Sequence, residues 1–365
     1  MKNPLVIYKI EKGLYIARNN SINKKKKNKN FNLKKKYIPL HTHSDLSLLD
    51  GASRVSDLVN ECKRLNIPAI SLTDHGVMHG IVDLFKECEK ADMTPIVGNE
   101  MYVINGNISR NYRRGEMPKF HQIILATNAI GYKNVVKLTT LSHLSGWQGK
   151  GAFGRPCISK NLLAKYQSGT IITSSCLGGE ISRNLLYRKK DEARKVSFFY
   201  KKYFKNSFYL EIQDHGHRED RVVNTEIVDI SRLKKIKLIG TNDSHFTTKR
   251  DVETHDSLLC IQTGKPIEDI GRMRYSGTEF LKSSIEMFQM FRDHIPESFI
   301  NSALTNSNSI FTGSEAYSIW EEIKIPAFKK PVGFEHYTNN DFFLLKHYSN
   351  QYEELTLILI YQSYY

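Results

Sequence analysis

Two histidines one residue apart, His41 and His43, close the apolar run Tyr37-Ile38-Pro39-Leu40, and Asp50 follows seven residues later beside Gly51. On an extended chain, side chains at i and i+2 face the same way, so both imidazoles address one point. Similar residues recur wherever an apolar run ends. These are Asp74 and His75 in Thr73-Asp74-His75-Gly76, Glu100 in Gly98-Asn99-Glu100, Cys176 in Ser174-Ser175-Cys176, and the pair in Asn242-Asp243-Ser244-His245. His121 stands at the start of an apolar run instead. An HxH pair alone is common by chance, and the recurrence is what gives it weight. Nine residues (His41, His43, Asp50, His75, Glu100, His121, Cys176, Asp243 and His245) are candidate metal ligands. One ion takes four to six ligands, so nine suit two or three ions sharing bridging carboxylates. Ions about 3.5–4 Å apart are the arrangement for phosphate-ester hydrolysis, activating water and holding the phosphoryl oxygens. A set rich in imidazole and carboxylate fits Zn or Mn, with Fe or Mg as alternatives.

Each residue also has a plainer reading. Asp74 suits the N-cap of a following helix, and Glu100 suits a solvent-facing loop. His121 suits a core histidine, and Cys176 a small buried hydrophobe. Asp243 and His245 are the candidates for catalytic work together with His79, which is expected to hydrogen-bond a ligand or the substrate. His215 and His217, in Gln213-Asp214-His215-Gly216-His217, are either substrate contacts or ordinary loop residues.

The elements that must position these groups alternate. Strands are expected at 37–41, 69–72, 95–97, 121–126, 170–173, 208–212 and 237–240. Helices are expected at 55–65, 80–90, 133–144, 180–186, 192–204 and 220–234. Strand-then-helix repetition implies a parallel sheet, and seven units fit a closed or nearly closed barrel. Such a barrel gathers its active site at the C-terminal ends of its strands, where all these candidates except His121 fall.

The net charge of +15 is uneven: residues 1–36 carry +11 and the remaining 329 carry +4. Basicity therefore belongs to the Lys24–Lys36 run, which is either a solvated linker or a phosphate-contacting tail. Residues 4–18 read as a hairpin. The excess of Lys, Asn, Ile and Tyr also matches an AT-rich coding sequence. Hydrophobic residues make up 40% of the chain, enough for a packed core. No apolar run reaches the roughly 20 residues of a membrane span, and no secretory signal is expected. The five cysteines (Cys62, Cys88, Cys157, Cys176 and Cys260) are odd in number and contain no CxxC. This points to a reducing compartment.

HTHSDLSLLDG, LTDHGVMHG, GNE, TSSCLGGE, EIQDHGH and TNDSHF, in this order, resemble the polymerase-and-histidinol-phosphatase (PHP) domain. More narrowly they resemble the one that opens the bacterial DNA polymerase III alpha subunit, as do Leu259–Lys265 and Arg272–Ser283. The resemblance covers residues 37–345. It implies an α/β fold, a distorted seven-stranded (βα) TIM-like barrel, with a trinuclear site whose nine ligand positions fall on the nine residues named above. It also implies 3′–5′ exonuclease proofreading or phosphoester hydrolysis at a DNA primer 3′ end. The expected organisation is a basic extension (1–36), a PHP domain (37–285) and an incomplete start of the polymerase core (286–365), with Ile325–Asp341 approaching that core. Because the catalytic palm of such polymerases lies downstream, polymerisation is not expected from this chain alone. A truncated product, half of a split gene or a relic would explain the length. Two other roles remain open: a non-catalytic brace for the rest of a polymerase, and a small-molecule phosphatase of the histidinol-phosphatase type. DNA and replisome subunits are the expected partners, in bacterial cytoplasm or an organelle stroma such as a plastid.

Overall fold

The computed structural model describes residues 37–322, apart from Arg114, Ala152 and Phe153, and the backbone of four short outlying strands. The Lys24–Lys36 run and the 325–341 segment lie outside the described residues. Two of the outlying strands, β1 (Ile7–Ile10) and β2 (Gly13–Ile16), pair antiparallel as the hairpin expected near residues 4–18.

From Tyr37 the chain forms α1 (Val55–Arg64), β3 (Ala69–Leu72), α2 (Ile81–Ala91), β4 (Thr94–Ile104), β5 (Phe120–Ala126) and α3 (Ala129–Leu144). Next come β6 (Trp147–Gln148), β7 (Arg155–Ser159), α4 (Lys160–Lys165), β8 (Thr170–Thr173), α5 (Glu180–Leu186) and α6 (Lys190–Phe204). The main body ends with β9 (Phe208–Ile212), α7 (Arg218–Lys234), β10 (Lys237–Gly240), α8 (Val252–Thr263), α9 (Ser284–Phe291) and α10 (Glu297–Thr312). One compact unit runs to Tyr317 and so includes α9 and α10. A second, Ser318–Tyr365, contains the antiparallel pair β11 (Phe343–Tyr348) and β12 (Leu355–Ile360).

Helical spacing explains the outer layer. Val55, Leu58, Val59 and Cys62 of α1, and Ile81, Leu84, Phe85 and Cys88 of α2, recur at i, i+3, i+4 and i+7 and are buried. With Cys157, three of the five cysteines are core residues. Strands β3 and β8 are buried at all four positions, as a sheet covered on both faces requires.

The ladder runs β3-β4-β5-β8-β9-β10, with β7 on the far end of β4 and β6 beside β7. It is open between β3 and β10. The segment expected as the first strand stands in that gap and forms no ladder of its own. It is tied to both sides: Ser71 and Thr73 N donate to Pro39 and Thr42 O, and His43 N donates to Ser244 O at 2.8 Å. Nor is the sheet wholly parallel. Strand β5 runs antiparallel to β4 and β8. The described residues of the connection 105–119 contain no helix, and the chain returns directly beside the strand it left. Gly98 marks the change of partner within β4, parallel to β3 before it and antiparallel to β5 from it onward. A Cβ there would lie 2.6 Å from the Thr73 methyl.

Candidate metal centre

All nine candidate ligands come together at one end of the sheet. Thr42 sits between His41 and His43, donating its N–H to Thr73 Oγ1 at 2.9 Å and accepting from Thr73 N. That exchange keeps the segment extended and puts both imidazoles on one side. The 44–51 loop is pinned from below by Asp74, which accepts from Ser44 N at 2.7 Å, Ser44 Oγ at 2.8 Å and Ser47 Oγ at 2.7 Å. Gly51 packs so tightly that a Cβ would lie 1.9 Å from Ser44 O. Asp74 therefore braces a loop, and the N-cap of α2 is Gly80.

Antiparallel β5 resolves the position of His121. The start of β5 lies at the same end of the sheet as the C-terminal ends of its neighbours, with His121 opposite Tyr102 and bonded through its N–H to Gly178 O. Ser175 (φ 60°) and Asp243 (φ 46°), each just past a strand end, adopt the left-handed conformation. Asp tolerates this region better than Ser, and strain of this kind gathers at functional sites.

Glu100 is the hub. Its Oε2 lies 2.7 Å from His75 Nδ1 and 3.4 Å from His43 Nε2, while its Oε1 lies 3.0 Å from His121 Nδ1 and 3.4 Å from His41 Nε2. Asp243 Oδ1 lies 3.0 Å from His41 Nε2 and 3.2 Å from His43 Nε2. Asp50 Oδ2 lies 2.7 Å from His75 Nε2 and 3.6 Å from His245 Nε2. Cys176 Sγ lies 3.5 Å from His121 Nδ1 and 3.7 Å from Glu100 Oε1.

These approaches are close, yet five of the atoms involved are buried without a hydrogen bond among the described residues: His41 Nε2, His43 Nε2, His75 Nδ1, Glu100 Oε2 and Asp243 Oδ1. Buried polar atoms are rarely left so. Five in one cluster, all of ligating type, fit cations placed among them. The far side of each first-strand histidine supports this. His41 Nδ1 donates to Glu211 Oε1 at 2.8 Å, and His43 Nδ1 donates to Ser47 Oγ at 3.0 Å, which in turn donates to Asp74. Both bonds commit Nδ1 and so turn Nε2 toward the cluster.

The charges reinforce one another. Burial alone pushes the Glu100 carboxyl up, but His121, His41 and His75 overcome it and hold the group well below the usual carboxylate range. Asp243 behaves likewise, burial being outweighed by His41 and His245. His43 is pushed down to about 3 by burial and by His75 and His245, so it is neutral. Burial, with Glu100 and Asp243, drives the Cys176 thiol well above its ordinary value.

Several residues that the sequence did not single out complete the centre. Glu211, buried in β9, receives Thr173, Thr241 and Gln213 side chains besides His41. An acid inside the apolar run Phe208-Tyr209-Leu210-Glu211-Ile212 was the available signal. Tyr275 OH reaches Asp50 Oδ1 at 3.1 Å and His245 Nε2 at 3.3 Å; nothing in its local pattern announces it. His79, by contrast, is not brought to the cluster. The turn before α2 carries it outward, where it is exposed and lines a shallow groove with Met78 and His143. His215 is held by Thr278 at 3.0 Å, and His217 is the N-cap residue of α7.

A second group, Asp214, Asp293 and His294, also brings ligand-type atoms together. Here Arg221 Nη2 lies 2.8 Å from Asp293 Oδ2, and Asp214 accepts from Gly216 N at 2.7 Å.

Comparison with known proteins adds the decisive observation: the PHP domain model matches residues 39–215. This chain carries a PHP domain. Its PHP region continues into wider sequence similarity. The chain is 40% identical over 269 residues to the DNA polymerase III subunit alpha of Borreliella burgdorferi, covering 73% of this chain and 23% of that protein. Against the Helicobacter pylori (strain 26695) subunit it is 35% identical over 279 residues, 73% of this chain and 22% of that one. The chain thus spans about a quarter of the length of these curated relatives. Among solved structures, it is similar to a two-domain Bacteroides vulgatus protein containing a predicted PHP-like metal-dependent phosphoesterase. That match has a TM-score of 0.36 and 17% identity, over 61% of this chain and 55% of the other. No helix among the described residues is long and apolar enough to cross a membrane.

Proposed function

We propose that this PHP domain is a metal-dependent phosphoesterase acting at a DNA 3′ end, a 3′–5′ exonuclease within the first part of a polymerase III alpha subunit. The observation that carries it is the set of five orphaned ligating atoms around Glu100 and Asp243. His41, His43, Asp50, His75, Glu100, His121, Cys176, Asp243 and His245 would hold two or three divalent ions, Zn or Mn by donor type. When bound, such ions polarise phosphoryl oxygens and lower the pKa of water. The chain's own residues prepare the place. Glu211 and Ser47 aim His41 and His43, and Tyr275 steadies Asp50 and His245. Burial keeps bulk water from competing with these charged contacts. Asp243 and His245 remain the groups proposed to act at the reacting atoms, while His79 is withdrawn from that role by its outward position. DNA as the substrate rests on the names of the relatives, and so does a bacterial cytoplasmic setting among replication proteins.

The test is elemental analysis of the purified chain beside degradation of a 3′-labelled primer with and without chelator. Two or three ions per chain and chelator-sensitive 3′ loss are expected. A chain without metal that leaves the primer intact would sink the proposal.

A second reading, a brace for the rest of a polymerase, is favoured by apolar side chains left exposed on the segment after α8 and on α9: Ile267, Ile270, Met273 and Ile285. Metal without nuclease, with capture of a polymerase palm segment, would favour it.

A further inference from the structure

Beyond the metal cluster, the connection 105–119 and the 148–150 turn enclose a cavity of about 420 Å³ lined by Ile104, Tyr112, Met117, Arg113, Lys119 and Lys150. The cavity is built, not incidental. Buried Gln148 accepts from Tyr112 N at 3.2 Å and donates to Ile108 O at 2.9 Å, stitching the connection to β6. Tyr112 OH accepts from Asn107 N at 3.0 Å. The floor is apolar: Ile108, Tyr112 and Met117 pack on Tyr102, Ile104 and Cys157. Its rim is cationic, and among the described residues no carboxylate pairs with the side chain of Arg113, Lys119 or Lys150. Glu116, the nearby acid, is engaged by Arg110 Nη2 at 2.6 Å and by the Arg113 backbone N–H.

One wall is shared with the metal centre. The Tyr102 ring stands edge-on to His121 at 5.3 Å and stacked on His75 at 6.1 Å, and Tyr102 also belongs to the floor cluster. Glu100, Tyr102 and Ile104 alternate along one face of β4, so hub and floor are about 13 Å apart at some 3.3 Å per residue. That is about four nucleotides of a stacked strand at roughly 3.4 Å each. An apolar, aromatic floor under cations without a carboxylate partner among the described residues, a short step from a phosphoesterase-type centre, has the chemistry of single-strand recognition: base contact below, phosphates at the rim.

We propose that this cavity holds one nucleotide of a single polynucleotide strand whose end lies in the metal centre. The base contacts Tyr112, Met117 and Ile104, and the flanking phosphates face Arg113, Lys119 and Lys150. The placement of the strand end rests on the phosphoesterase reading; occupation of the cavity does not.

The experiment separates the two. Binding of a 5′-fluorescein oligothymidylate to the full chain is followed by anisotropy in chelator, across a salt series, so that hydrolysis plays no part. The variant Lys119→Ala/Lys150→Ala is expected to bind about tenfold more weakly at low salt, with the salt slope reduced by about 1.4 for two lost contacts to a single strand. Tyr112→Ala is expected to lose about fivefold or more, while Tyr112→Phe keeps the ring and binds like the parent, which controls for folding. Lys90→Ala/Lys195→Ala removes two cations from outer helices and is expected to change little. The lysine-rich segment contributes equally to every variant, so the differences report on the cavity. Parent-like affinity and slope in Lys119→Ala/Lys150→Ala, or no binding by the parent chain, would overturn the proposal. If the variants weaken as expected while the metal-loaded chain degrades no primer, the cavity stands and the exonuclease reading falls. If the chain degrades primer and the variants bind like the parent, the reverse holds.

Discussion

The mouth of the barrel and the corner at Asp214, Asp293 and His294 both gather ligand-type atoms within 4.8 Å of one another, yet their accounts differ. In the corner every group is answered. Arg221 meets Asp293, His294 Nδ1 donates to Asp293 Oδ1 at 2.8 Å, and Asn224 Nδ2 donates to His294 Nε2 at 3.1 Å. Asp293 is also half exposed, so water completes its shell. At the mouth, five buried atoms approach one another at ion-pair distance but have no hydrogen bond among the described residues, while the far nitrogens of His41 and His43 are committed. Density of acids and imidazoles therefore does not mark a cation site. What marks it is a cost left uncompensated: buried polar atoms without partners are expensive, and a fold keeps several together only when something else satisfies them.

The largest expected effect tests that distinction directly. Asp243→Asn and His43→Ala should each lower bound metal and chelator-sensitive hydrolysis by about a hundredfold or more, since they remove atoms on which the cluster converges. Asp214→Asn should leave metal content unchanged. Elemental analysis of the three variants decides, and full metal content in both mouth variants would refute the ligand assignment. Next in size is Glu211→Gln, nearly isosteric and outside the cluster. Loss of the carboxylate behind His41 should weaken metal affinity about 10–100-fold, read by competition with a chromophoric chelator. An unchanged affinity would mean Glu211 serves packing alone.

The same contrast explains what the sequence made legible. Ligand types at strand ends were readable because period-two alternation and strand termini are local properties. Six of the eight strands of the sheet are legible for the same reason, whereas β6 and β7 are not among the expected strands. His121 looked misplaced because strand direction is not local: the connection 105–119, with no helix among its described residues, returns β5 antiparallel, and that reversal carries its first residues to the mouth. The first strand was legible as an extended run but not as a strand without a ladder, because its partners, Thr73 and Ser244, are remote in sequence. Glu211 left a trace, an acid in an apolar strand. Tyr275 left none, since its contacts to Asp50 and His245 join residues 225 and 30 positions apart. His79 was overread because proximity in sequence to His75 says nothing about which way a turn points.

Tyr275 gives a smaller test at the edge of the mouth. Tyr275→Phe removes the hydroxyl that holds Asp50 and His245. One hydrogen bond of this kind is worth about 1 kcal/mol, so metal affinity should fall about fivefold without loss of fold. A hundredfold fall would move Tyr275 into the set of ligands; no change would make it a bystander.

The smallest effect belongs to the corner, and it is where the comparison is easiest to break. Arg221 is 45% exposed and its link to Asp293 is a surface ion pair, worth about 0.5 kcal/mol after screening. Arg221→Met should therefore lower Tm by no more than about 2 °C, and metal content should stay as in the parent. If Arg221→Met instead gains an ion, the guanidinium was standing where a cation could, and the two regions differ only in which cation fills them. If the parent already loses an ion on Asp214→Asn, orphaned atoms are not needed to make a site, and the criterion that separates mouth from corner fails. Unchanged metal in both variants leaves the mouth distinguished from the corner by its unsatisfied atoms.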